Sequence, residues 1–152
     1  MSLMLSMCRR WRSVALASGW AGLVACGGGD TAGPGVVEGS YTLRQLNDAA
    51  LPYDHDGQGC CTYLAGTLLL DAAGYEFSLQ SRNRNTALVF TATEWGKYAP
   101  QGSTVAFTAD SFAEAPLGLD LGTVSGDSVR VLFGGEGPGS PDQFSGLFVP
   151  SP

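Results

Sequence analysis

Apolar and polar residues alternate at period 2 through most of the chain beyond Gly39, and a period of 3.6 is missing there. Alternation of this kind puts one set of side chains on each face of a strand. Tyr41 and Leu43 alternate with Thr42 and Arg44. Leu64, Leu68 and Leu70 share a parity with Gly66. Tyr75, Phe77 and Leu79 alternate with Glu76, Ser78 and Gln80, and Val105 and Phe107 with Thr104 and Thr108. Leu119 and Leu121 flank Asp120, while Val129, Val131 and Phe133 lie on one face and Phe144 and Phe148 on another, with Gly146 between the last two. Thr86 to Tyr98 predicts one long strand bent near Gly96.

Turn chemistry separates these runs. Asp71-Ala72-Ala73-Gly74, Gln101-Gly102 and Ser125-Gly126-Asp127 are short reversals, and residues 81–85 read as a polar loop. Glycine, Asn and Asp supply the positive φ angles that tight hairpins need. A second loose segment spans residues 134–142. No amphipathic helix is expected beyond a short turn near Ala49 or Phe112. Neighbouring strands joined by short turns pair with each other. The expected fold is therefore all-β, an antiparallel up-and-down barrel of about eight strands, which closes and so loses its edges. A two-sheet β-sandwich is the alternative.

The first 25 residues follow different rules. Arg9, Arg10 and Arg12 precede an apolar run from Ser13 to Ala25 that is too short to span a bilayer, which takes about 20 residues. It has the flanks and length of a secretory signal. The run ends in Leu23-Val24-Ala25-Cys26, which resembles the lipobox of bacterial lipoproteins. That resemblance implies cleavage before Cys26, a diacylglycerol joined to its thiol, and a protein held to a membrane by N-terminal lipid. Gly27 stands where an Asp would favour inner-membrane retention, so the outer membrane is the expected destination in a cell that has one. The implied organisation is a signal peptide over 1–25, forming a helix in the precursor, a flexible Gly-rich tether over 26–37, and a barrel domain over 38–149.

Cleavage changes the charge. The leader holds three of the eight basic residues and none of the fourteen acids, so the mature chain has a net charge of −9. Such a surface repels phosphate backbones, which argues against nucleic acid as a partner. It argues equally against electrostatic attachment to anionic lipid.

Gly39-Ser40-Tyr41 stands where lipocalins carry Gly-x-Trp. Gly96-Lys97-Tyr98, Gly102-Ser103-Thr104-Val105-Ala106-Phe107 and the stretch Gly122 to Val129 resemble the repeated hairpins of small lipocalin-like bacterial lipoproteins. The resemblance covers most of residues 38–149 and implies the same barrel.

Candidate chemistry concentrates in Asp54-His55-Asp56-Gly57-Gln58-Gly59-Cys60-Cys61. Three readings stand side by side. Cys60 and Cys61 can form a vicinal disulfide in an oxidising compartment, with strained geometry. Asp54, His55 and Asp56 are weak metal-ligand candidates, because no second Cys or His pair completes a tetrahedral set. The third reading is a surface loop whose Asp and Gly serve turn geometry. Catalysis has less support: no Gly-x-Ser-x-Gly elbow surrounds a serine, and Glu76 and Glu94, a carboxylate pair in principle, read as solvated strand positions. No cofactor is expected. Tyr41, Tyr75, Phe77, Phe90, Phe107, Phe133, Phe144 and Phe148 either fill the barrel or line a cavity in it, and Trp95 is a candidate for the barrel mouth.

These readings converge on a lipid-anchored, non-enzymatic binding or interaction module at the cell envelope, probed by an envelope protein or a small apolar ligand and expected to be monomeric. A carrier of a small apolar ligand in the barrel interior is one alternative. A redox or metal module at His55, Cys60 and Cys61 is the other.

Overall fold

A computed structural model describes residues 38–54, 61–135 and 142–152. Among these there is no helix. The strands are β1 (Gly39–Leu46), β2 (Ala49–Ala50), β3 (Tyr53–Asp54), β4 (Cys61–Asp71), β5 (Gly74–Asn83), β6 (Val89–Gln101), β7 (Thr104–Ala113), β8 (Leu121–Ser125), β9 (Ser128–Phe133) and β10 (Phe144–Pro150). Eight of them close a barrel: β4 to β10 pair in sequence order, and β1 pairs with both β10 and β4. The two-residue strands β2 and β3 attach to β1 and β4 at their upper ends. All pairings are antiparallel. The up-and-down barrel is the architecture, and the sandwich is set aside because β1–β4 pairing joins the two edges. Gly39–Tyr41 opens β1, and Gly122 to Val129 spans the β8–β9 hairpin.

The two ends of the barrel differ. At one end lie the tight hairpins after Asp71, Gln101 and Ser125, with the start of β1 and the end of β10. We call this the closed end. At the other, open end lie the longer connections β1–β4, β5–β6, β7–β8 and β9–β10.

Several local readings are corrected. Leu64 does not share the inward face with Gly66, Leu68 and Leu70, because Tyr63 pairs with Ser81 while Ala65 pairs with Gln80. Leu64 is thus the extra residue of a β-bulge, which shifts the phase by one. Arg44 in β1 and Asp110 in β7 are skipped in the same way. Residues 81–83 belong to β5, the turn sits at 84–86, and β6 begins only at Val89. Where a bend near Gly96 is expected, the β6–β7 register shifts between Trp95 and Gly96, and the extra residue, Asp110, lies on β7. Leu119 is buried but lies in the connection before β8. Neither Ala49 nor Phe112 starts a helical turn: both are in strands.

The interior is filled from the closed end upward. Phe148 packs edge-on against Phe77 (ring centroids 5.7 Å), Phe77 edge-on against Phe133 (5.0 Å) and Phe144 edge-on against Tyr63 (5.1 Å), while Phe133 and Phe144 are tilted by 30° at 5.7 Å. Tyr75 and Phe107 form a separate edge-to-face pair at 5.1 Å. Offset and edge-to-face contacts of this kind add to the burial of large apolar surface. The rings fit because inward positions beside them carry glycine. A Cβ on Gly146 would stand 2.9 Å from both Leu43 and Phe148, and one on Gly122 2.5 Å from Val105.

Candidate functional site at the open end of the barrel

The aromatic column stops short of the open end and leaves an apolar cleft there of about 270 Å³. Cys61, Tyr63, Leu79, Phe90, Ala92 and Phe144 line it on one side, with the connection Ala115-Pro116-Leu117 opposite. The strand parity explains the lining. On β6 the inward residues are Phe90, Ala92, Glu94 and Gly96, of which Ala92, Glu94 and Gly96 are buried and Phe90 is 40% exposed. Burial raises the tyrosine pKa of Tyr63, with a smaller contribution from Tyr53, so its ring presents a neutral, apolar wall.

The wall behind the cleft is unusual. β8 pairs with β7 only from Thr104 to Ala106. Above it the β7–β8 connection takes the strand's place: Phe107 N–H donates to Asp120 C=O (3.0 Å), Asp120 N–H to Leu132 C=O (3.0 Å), and Gly134 N–H to Leu117 C=O (2.8 Å). One buried side chain fixes this connection. Glu94 is completely buried and accepts from the backbone N–H groups of Leu117 (2.9 Å), Gly118 (2.8 Å) and Leu119 (3.2 Å) and from the Tyr75 hydroxyl (2.8 Å). A buried carboxyl is costly unless its lone pairs are met by donors. Four donors meet this one. Burial and then the Glu94 bond push the Tyr75 hydroxyl far above its ordinary range, so it stays a donor.

The reading of Glu94 as a solvated strand position is therefore wrong. Its parity with Ala92 and Gly96 places it inward, and that parity was the available signal. Glu76 is exposed on the outer wall, where it accepts from the Trp95 indole N–H at 2.9 Å. Glu76 and Glu94 thus face opposite sides of the sheet and form no carboxylate pair. Trp95 is not at the mouth either; it lies on that same outer wall, opposite Glu76 in register. A shallow outer hollow of about 300 Å³ adjoins it, but Glu76 is committed to Trp95, and Lys97 donates to the Ala73 carbonyl.

Of the loop candidates, His55, Asp56 and Cys60 lie outside the described residues, as do Cys26 and the whole of the proposed leader and tether. Asp54 ends β3, accepts from the Thr62 hydroxyl and pairs with Arg84 at 3.1 Å. The Thr62 bond first, and Arg84 after it, hold the Asp54 carboxyl below its usual range. Cys61 opens β4, is buried and is held in a disulfide. Among the described residues no three His, Cys, Asp or Glu side chains gather as a metal site would require.

Of the eight candidate aromatics, Tyr41, Tyr75, Phe77, Phe107, Phe133 and Phe148 are buried in the core, Phe144 is half-buried, and Phe90 stands at the cleft. Around the cleft the open end shows further apolar surface that sequence reasoning missed: Leu88 is 69% exposed, Val89 51% and Phe112 55%. Comparison with protein-family models, curated proteins and solved structures finds no match.

Proposed function

We propose that the chain is a lipid-anchored envelope protein whose barrel is a non-enzymatic binding module, and that the open-end cleft is its binding site. The observation that carries this is an apolar cleft in the barrel whose rim exposes Phe90, Ala115 and Pro116. Isolated exposed apolar side chains need no explanation, but a cluster at a concavity suits recognition. β1 begins at the closed end, just after Glu38, and the cleft lies at the other end of the barrel.

The cleft's size selects among ligands. Pockets for drug-sized molecules run from about 300 to 1,000 Å³, and this one stands at about 270 Å³. It suits one large apolar side chain or a small apolar ligand held at the mouth. The aromatic column leaves no comparable room for the interior carrier. A metal centre gains no thiolate ligand from Cys61, whose sulfur is in a disulfide.

N-phenyl-1-naphthylamine, a neutral apolar fluorophore, tests the cleft. It should brighten saturably with the full-length chain. Ala115→Trp, at an exposed rim position, should abolish most of that signal while leaving thermal unfolding unchanged. Equal titrations for the two proteins would refute the cleft as the site.

A further inference from the structure

β6 runs further toward the open end than its neighbour β7. Its pairing with β5 extends to Val89, opposite Arg82, but its pairing with β7 stops at Thr93, opposite Ala113. The four residues Val89 to Ala92 therefore have no ladder partner on the β7 side among the described residues. The direction of their backbone groups follows from one bond: Asn83 N–H donates to Leu88 C=O at 2.8 Å. Successive residues of an antiparallel strand turn their N–H and C=O to opposite sides. Phe90 and Ala92, like the Leu88 C=O, thus turn theirs to β5, and Val89 and Thr91 turn theirs to the open side.

Proteins usually blunt such edges with charge, proline or a bulge. Leu88-Val89-Phe90-Thr91-Ala92 contains no charge and no proline, and its pairing with β5 is unbroken. The edge also borders the cleft, because Phe90 and Ala92 line it. A strand laid along this edge would point alternate side chains, those opposite Phe90 and Ala92, into the cleft, and the others outward.

We infer that the β6 edge at Val89–Ala92 is a strand-addition site for an extended peptide, which pairs its backbone with Val89 and Thr91 and places one apolar side chain in the cleft. This rests on the reading of the cleft as the binding site and names its partner class. Backbone pairing supplies affinity and the pocket supplies selectivity, as in other strand-addition complexes. A second copy of the chain is a poorer occupant, since its own Phe90 and Ala92 are turned into its own cleft.

Panning random heptapeptides displayed on phage against the purified full-length chain should enrich sequences that alternate apolar and polar residues. A selected peptide, resynthesised with capped ends, is then N-methylated on alternate residues in two versions. One version should lose binding by roughly tenfold or more, as expected for lost backbone bonds, while the other keeps it. Hydrogen exchange at the Val89 and Thr91 amides should slow on binding. Thr91→Pro, which removes an edge N–H and no β5 bond, should weaken the peptide to the same degree. The inference is overturned if both N-methylated versions bind like the parent, if no alternating sequence is enriched, or if a dimer abolished by Thr91→Pro occupies the edge. In each of those cases N-phenyl-1-naphthylamine still entering the cleft would leave the binding-site reading standing.

Discussion

Glu94 is the residue on which the open end depends. Three consecutive backbone N–H groups of the β7–β8 connection converge on its carboxyl, and the Leu119 donor would otherwise be buried without a partner. Hydrogen bonds to a charged acceptor contribute about 1.5–3 kcal/mol each. Tyr75→Phe removes one donor and should cost about that much. Glu94→Gln turns an NH₂ group toward backbone N–H donors, so donor faces donor, and should cost about 3 kcal/mol or more. Urea unfolding of the three proteins measures both. The glutamine variant should also bind the naphthylamine probe more weakly, since Leu117 belongs to the cleft wall. A Glu94→Gln protein within about 0.5 kcal/mol of wild type, the range of an ordinary surface change, would show that the connection is held by other means.

At the scale of the strand, the three bulges explain where period 2 succeeded and where it failed. Each omits one residue, and in β1 and β4 buried side chains lie on both sides of the omission. In β4, Cys61 is buried before Leu64, and Gly66, Leu68 and Leu70 are buried after it. Deleting Leu64 should therefore preserve both inward sets on a regular ladder and give a folded, somewhat destabilised barrel. Deleting Ser78, on the unbulged strand β5, throws the residues on one side of it onto the wrong face, because a slip of one residue reverses every side chain, and should abolish cooperative unfolding. Thermal melts followed by near-ultraviolet circular dichroism separate the two outcomes; equal behaviour would sink the bulge assignment. The same logic shows what was legible beforehand. Tyr75, Phe77 and Leu79, and Val129, Val131 and Phe133, lie on unbulged stretches, and their inward face could be read directly. The fold class and strand number followed from such stretches and the turns between them. Leu64 could not be assigned, because a bulge is set by cross-strand pairing rather than local composition. The cleft was hidden for a related reason. It exists because β7 stops pairing at Ala113 while β6 continues, a mismatch between strands far apart in sequence from the wall at Phe133 and Phe144.

At the scale of the whole molecule, the acidic charge leads to one expectation about the proposed attachment. The mature chain would carry five basic side chains against fourteen acids, so an anionic bilayer would repel the domain and the proposed acyl chains would have to hold it. Each buried CH₂ contributes about 0.8 kcal/mol, and stable anchoring takes two signals or two chains. Hydrophobic attachment of this kind is insensitive to salt, whereas an electrostatic one fails in about 1 M salt, where the screening length falls to ~3 Å. Wild-type protein expressed in a diderm bacterium should stay with the membrane pellet through a high-salt wash. Its intact mass should exceed that of the polypeptide from Cys26 to Pro152 by the mass of the lipid. Cys26→Ala should run in the soluble fraction without that added mass. Release of the wild type by salt, or identical masses and fractions for the two proteins, would refute the lipid anchor. The barrel would then be a free domain.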